Sequence, residues 1–183
     1  MYGLLLPLLL AASAPRVVSL SSSAHTRASF NFDDLQMENG YTGYKAYSQT
    51  KLAMLVYARE LQRQNDLHGG NLTSVAAHPG LSTTAIARNM SAPARLAISM
   101  VFRILGQNEV QGALPQLYAA TASVPDQVQP GGYYGPDGSY ELKGYPASAF
   151  VSAEGQEPMN GRQLWNISER LTGVLYPWPA EKK

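Results

Sequence analysis

The sequence contains no cysteine. That absence excludes disulfides, cysteine-ligated zinc, iron–sulfur clusters and a thiol nucleophile. An excess of either charge is missing too: 14 Lys and Arg stand against 13 Asp and Glu, a net of +1. Such a chain offers no field to nucleic acid or to an acidic membrane surface. The histidines are only His25, His68 and His78, too scattered in sequence to predict a metal site. The apolar run within Met1 to Pro15 is about half of the roughly 20 residues that a membrane span requires. What remains is ordinary in the useful sense. A chain of 183 residues that is 45% apolar and 15% charged predicts one globular domain with a real core, neither disordered nor collagen-like.

The opening MYGLLLPLLLAASAP imitates a secretory signal, with Ala12-Ser13-Ala14 as a small-residue cleavage site. Against that reading, no Lys or Arg precedes the run, Pro7 lies inside it and a strand pattern follows at once. The reading adopted is the far end of a helix leading into a strand. Arg16-Val-Val-Ser-Leu-Ser-Ser reads as a buried strand opening into a loop. Ala24–Gly43, with its Asn, Asp and Gly residues, reads as a long loop. Ala46–Gln64 has no Gly or Pro and carries Leu52, Leu55, Val56 and Leu61 at helical spacing. Asp66-Leu-His-Gly-Gly is a stop signal, and Leu72–Ala77 a second buried strand. Strand, helix and strand at this spacing predict a right-handed crossover and a parallel sheet. Ala92–Leu105 is markedly apolar and fits a core helix, a lid over an apolar ligand or a membrane-surface element. Asn108 can cap a helix running to about Ala122. Gly131–Pro136 reads as a last short strand, and Asn160–Thr172 as an amphipathic helix.

Three places carry chemistry. Tyr47 and Lys51 are four apart on a helix, so they share one face about 5 to 6 Å apart at their β-carbons. A tyrosine with a free pKa of about 10 is a poor proton donor or acceptor at neutral pH, and a nearby ammonium favours its phenolate. Ser22 stands at the carboxyl end of the preceding strand, where open parallel sheets place their ligands. Its hydroxyl can donate to a substrate oxygen that gains negative charge. Plain capping of a strand end explains Ser21, Ser22 and Ser23 as well. A serine hydrolase is disfavoured by the lack of a Gly-x-Ser-x-Gly elbow. His78-Pro79-Gly80 ends the next strand, and a glycine there lets backbone approach a flat ligand, with Ser82 and Thr84 adding hydroxyls, though an ordinary strand-ending turn explains Pro-Gly equally well.

The ordered set Arg16–His25, Tyr47-Ser-Gln-Thr-Lys51 and Ala77-His-Pro-Gly80 resembles the C-terminal half of a short-chain dehydrogenase/reductase. The long stretch between Ser22 and Tyr47, with Phe32-Asp-Asp-Leu35 inside it, is similar to the retinol-dehydrogenase-like and WW-domain-oxidoreductase-like branch. Gly131–Pro136 and Leu164-Trp165 through Leu171 resemble that branch's closing strand and helix. The resemblance implies an α/β fold, a Rossmann-like doubly wound parallel sheet. It also implies alcohol–carbonyl interconversion by hydride transfer, with NAD or NADP as cofactor and an apolar alcohol or carbonyl compound as substrate. Ser22 would orient the substrate carbonyl, Tyr47 would act as general acid/base, and Lys51 would lower the Tyr47 pKa and hold the nicotinamide ribose. Tyr47, Lys51, Pro79, Gly80, Ser82 and Thr84 would line the nicotinamide end. A homodimer is a further expectation, with no metal or nucleic acid as partner and a cytoplasmic location.

Family members begin with a Gly-rich turn and later carry an Asn-Asn-Ala-Gly strand and a catalytic Asn, none of which occurs in this sequence. The expectation is therefore an N-terminally truncated domain, residues 1–183 being its C-terminal portion, with the first βαβ nucleotide-binding half absent. The alternative is a non-catalytic remnant acting as an interaction module. On this expectation the 183-residue polypeptide by itself binds NAD(P) weakly or not at all. Micromolar NADPH binding with turnover, measured on the purified chain, would overturn it.

Overall fold

A computed structural model of the chain describes residues 2–82 and 106–178. The apolar segment Ala92–Leu105 and Thr84 lie outside those residues. The leucine-rich start forms α1 (Tyr2–Ala11), followed by β1 (Arg16–Leu20). Only part of α1 is covered: Leu6 is buried, whereas Leu4 and Leu8 are each 72% exposed. The loop after β1 holds two short 3-10 turns, Ser23–Arg27 and Phe32–Asp34, each opened by a side-chain cap from Ser22 or Asn31.

The helix expected at Ala46–Gln64 is longer, α2 (Gly43–Leu67). Thr42 caps its start by accepting the Lys45 N–H, and the chain leaves it through Gly69 at a φ of 61°, a conformation that is cheap without a Cβ. Next come β2 (Thr73–Ala77) and α3 (Glu109–Thr121), the latter capped by Asn108 as the sequence predicts. β3 (Tyr133–Pro136), β4 (Pro146–Ser148), α4 (Ala153–Gln156) and α5 (Pro158–Thr172) complete the described chain.

The sheet has the order β1-β2-β3-β4. β1 pairs with β2 in parallel from Arg16↔Thr73 to Leu20↔Ala77, and β2 pairs with β3 in parallel at Ala76↔Tyr133. The sheet is parallel as expected across β1, β2 and β3, and β4, unread in the sequence, pairs antiparallel with β3 at its edge. Three residues, Pro-Ala-Ser, are too few to show an alternation that sequence reading could detect.

Helices cover both faces, and the period of two along the strands decides which side chain meets which helix. Val75, Ala77 and Tyr134 pack with Ala119 of α3, while Ala76 and Tyr133 pack with Leu55 and Ala58 of α2. Arg16 ties the first strand to α3, its guanidinium donating to the carbonyls of Ala119 and Ala122, both at 2.9 Å. Cations suit the carbonyl end of a helix, where the dipole is negative. α5 lies on α2, with Trp165 stacked on Tyr57 at a centroid distance of 5.2 Å. The end of α2 is joined to β2 by buried Asn65, whose Oδ1 accepts the Leu72 N–H at 3.0 Å while Nδ2 donates to the Gly70 carbonyl at 3.2 Å.

An Asn65→Ala change strands both backbone groups and is expected to cost about 1–3 kcal/mol. Urea unfolding checks this: the midpoint should fall with an unchanged slope.

Candidate functional site

The parallel register brings the carboxyl ends of β1 and β2 out side by side. The Ser21 N–H donates to the Ala77 carbonyl at 2.8 Å, so Ser22 and His78 leave the same edge of the sheet. Ser22 takes an extended backbone, and its Oγ accepts the Ala24 N–H at 3.2 Å, which leaves the hydroxyl proton to be donated elsewhere. The capping role weighed from sequence is therefore real, and compatible with a chemical one.

α2 delivers Tyr47 and Lys51 to this point. The Ser21 hydroxyl donates to the Lys51 carbonyl at 2.7 Å, and Lys51 Nζ donates to the Leu20 carbonyl at 3.1 Å. Nζ also stands 5.7 Å from the centroid of the Tyr47 ring. One lysine thus touches the end of β1 with its head and shares a helix face with the tyrosine, as the spacing of four predicts. Burial pulls the Lys51 ammonium below its usual pKa.

The turn after β2 is more tightly committed than its sequence suggests. Gly80 has a φ of 63°, and a Cβ there would lie 2.5 Å from the Leu142 carbonyl and 2.7 Å from Pro136. Its N–H donates to His78 Nδ1 at 3.2 Å, the Leu81 N–H to the Leu142 carbonyl at 2.7 Å, and the Pro79 carbonyl accepts from Gln107 at 2.8 Å. The close approach that demands a glycine is made by the chain's own 141–142 backbone. Ser82 is buried against Gly112 of α3, in a bridge with Gln107.

Sequence reasoning missed four side chains that gather behind this edge: His25, His78 as a ring, Tyr133 and Glu141. Both imidazoles are fully buried and flank Tyr133 at centroid distances of 5.3 and 5.2 Å. His25 Nδ1 meets the Ser22 carbonyl at 2.8 Å and Nε2 accepts the Ser152 N–H at 3.3 Å. That arrangement fixes a neutral ring with its proton on Nδ1, and it spends both nitrogens on backbone. His25 is accordingly no base for the Ser22 hydroxyl, which removes the hydrolase geometry. Burial drives the Tyr133 phenol well above its ordinary pKa, with the Ser21 hydroxyl close enough to oppose the rise and Glu141 and Tyr47 adding to it. Ser21 nevertheless spends its proton on Lys51, and the Tyr133 hydroxyl has no hydrogen-bond partner among the described residues. Glu141 accepts from His78 Nε2 at 3.0 Å and from the Phe150 N–H at 2.6 Å. Burial works to raise its pKa, yet these two bonds and the histidines together hold it below the usual carboxylate value. Only the tripeptide at 78–80 signalled any of this, since Tyr133 and Glu141 reach it from remote sequence.

No protein-family model matches the chain. It is similar to human retinol dehydrogenase 14, 32% identical over 177 residues that cover 94% of this chain and 48% of the relative. Human polyprenol dehydrogenase is 31% identical over 160 residues, covering 87% and 46% respectively. Among solved structures, an uncharacterized protein from Mycobacterium paratuberculosis superposes with a TM-score of 0.71 at 30% identity, covering 96% of this chain and 55% of that one. The chain spans about half the length of the curated relatives it matches. Among the described residues no helix is long and apolar enough to cross a membrane.

The buried histidine gives a pH dependence of stability. Desolvation is the largest cause that holds the His25 pKa below 6.5 in the folded chain, aided by His78, with the Ser22 carbonyl and Glu141 opposing. The unfolded chain therefore takes up this proton first on acidification, so the contribution is complete above 6.5 and is lost as pH falls toward the folded value. The urea midpoint should drop between about pH 7.5 and about pH 5.5, a range that straddles the free histidine pKa. His25→Gln should flatten that segment of the curve.

Proposed function

The chain belongs to the short-chain dehydrogenase/reductase family, matching its C-terminal part, and from that premise we propose an NAD(P)-dependent oxidoreductase that interconverts an alcohol and a carbonyl compound. The observation that carries the reading is Lys51, which bonds the Leu20 carbonyl, two residues before Ser22, with its head while Nζ stands 5.7 Å from the Tyr47 ring centroid.

The donor set suits the nicotinamide end of a dinucleotide. An ammonium has three N–H donors, and Leu20 occupies one, so Lys51 retains donors for a ribose diol. Held by Lys51 and the 79–82 turn, such a cofactor would supply the hydride chemistry. Ser22 donates to the substrate oxygen and fixes its direction. Tyr47 gives its phenolic proton to that oxygen in reduction and takes the hydroxyl proton in oxidation. Lys51 keeps a positive charge against the ring through both directions. The 79–82 turn lines the nicotinamide side in this reading, its backbone groups engaged by His78, Gln107 and Leu142; Thr84, expected there from sequence, lies outside the described residues.

The relatives carry names of apolar alcohols, retinol and polyprenol, and the apolar composition of Ala92–Leu105 supports a substrate of that class here. A cytoplasmic location and a homodimer belong to the same reading.

Turnover of an apolar aldehyde or ketone, followed by NAD(P)H absorbance in the protein at its native length, tests it. Tyr47→Phe should lower kcat by about 100-fold or more while leaving cofactor affinity nearly intact. Undiminished turnover would remove Tyr47 from its role.

A further inference from the structure

Glu141 is placed at some cost. It and Tyr140 both take a φ of 54°, a left-handed conformation that two successive residues with side chains adopt only when surrounding structure holds them there. What holds them is visible. The Glu141 carboxylate bridges His78 Nε2 and the Phe150 N–H, and the neighbouring Leu142 carbonyl takes the Leu81 N–H. The His78 ring lies over Tyr133 and against Gly135, where any Cβ would occupy the ring's own space.

The two nitrogens of a neutral imidazole cannot both be donors. A carboxylate is purely an acceptor, so Nε2 must present the proton to Glu141. Nδ1 is then bare, and it is the atom that accepts the Gly80 N–H. The two bonds are linked through the ring: the second exists because the first selects the tautomer. The titratable groups facing His78 are Glu141, Tyr133 and, from behind that phenol, His25. Neither Tyr133 nor His25 offers the ring a competing acceptor, since His25 has both nitrogens on backbone and Tyr133 meets the ring by its face.

We propose that Glu141 is a positioning residue: by accepting the hydrogen bond of the His78 Nε2–H it keeps Nδ1 free to hold the Gly80 N–H, and so sets the backbone of the turn at 78–82. Its consequence for the cofactor rests on the reading that this turn flanks the nicotinamide. The tautomer and the turn do not depend on that reading.

The experiment uses the nitrogen-15-labelled protein and the variants Glu141→Gln and Glu141→Asp. The long-range proton–nitrogen pattern of the His78 ring reports the tautomer. Hydrogen exchange at Gly80 reports the turn. The wild-type ring should carry its proton on Nε2. Glu141→Gln offers an amide that can turn its NH2 toward the ring, so the proton should move to Nδ1 and Gly80 exchange should quicken by about tenfold. Glu141→Asp, which keeps the acceptor, should restore the wild-type tautomer. An unchanged tautomer and unchanged Gly80 exchange in Glu141→Gln would overturn the proposal. So would exchange rising equally at Gly80 and throughout β2 in both variants, which marks a purely structural residue. Cofactor affinity is read separately by NAD(P)H fluorescence, where Glu141→Gln should weaken binding by about three- to tenfold. A changed tautomer and turn with measurable but unaltered affinity leaves the positioning of the turn standing and overturns the placement of nicotinamide beside it.

Discussion

Everything described here hangs on the burial of β2. A strand covered on both faces and paired on both edges has no water to turn to, so each backbone group must find a partner in the protein. β1 and β3 supply them along the edges, and α2 supplies more from above: Gln62 Oε1 accepts the Ser74 N–H at 2.7 Å, and the Ser74 hydroxyl donates to the Ala58 carbonyl at 2.8 Å. The small side chains of Ser74, Ala76 and Ala77 let the helices come this close. Once the strand is fixed in that way, its carboxyl end can point in one direction only, and His78 is delivered fully buried at the place where Ser22 and Lys51 also arrive.

The site thereby divides into two halves built on different physics. Toward Ser22, Tyr47 and Lys51 the groups are partly exposed, and each retains hydrogen-bonding capacity beyond what the fold uses. Toward His25, His78, Tyr133 and Glu141 nearly every donor and acceptor is consumed internally, the Tyr133 hydroxyl being the exception. A reacting group needs spare valence and access, while a frame needs neither. The unpaired phenol sits at the seam between the two, close to Ser21 and sensed by Tyr47.

Much of the first half was legible in the sequence. A spacing of four on a Gly- and Pro-free stretch determines a shared helix face, because helical geometry is local. A cap such as Asn108 is equally local, and the structure places it one residue before α3 as expected. The second half was not legible, for a physical reason. Glu141 meets His78, and Tyr133 lies between two imidazoles, edge-on to His25 and tilted against His78, through strand pairings whose register depends on the whole sheet. β4 is too short to display a period, and the left-handed pair Tyr140–Glu141 contains none of the residues that usually announce such a turn. The glycine of His78-Pro79-Gly80 meets a second demand that its sequence does not show: the chain's own backbone at Glu141 and Leu142 approaches it closely.

Gly135 carries the same lesson into lineage. The space its missing side chain vacates is filled by the His78 ring, just past the end of β2, so the two positions are sterically coupled. A hairpin spanning β3 and β4 cannot be exchanged with that of a relative unless the donor also tolerates a histidine after β2. Chimeras that keep His78 but import a larger residue opposite would be refused by sterics before any chemistry was tried. The boundary along which this sheet can be recombined therefore runs outside residues 78–141, however far apart they stand in sequence.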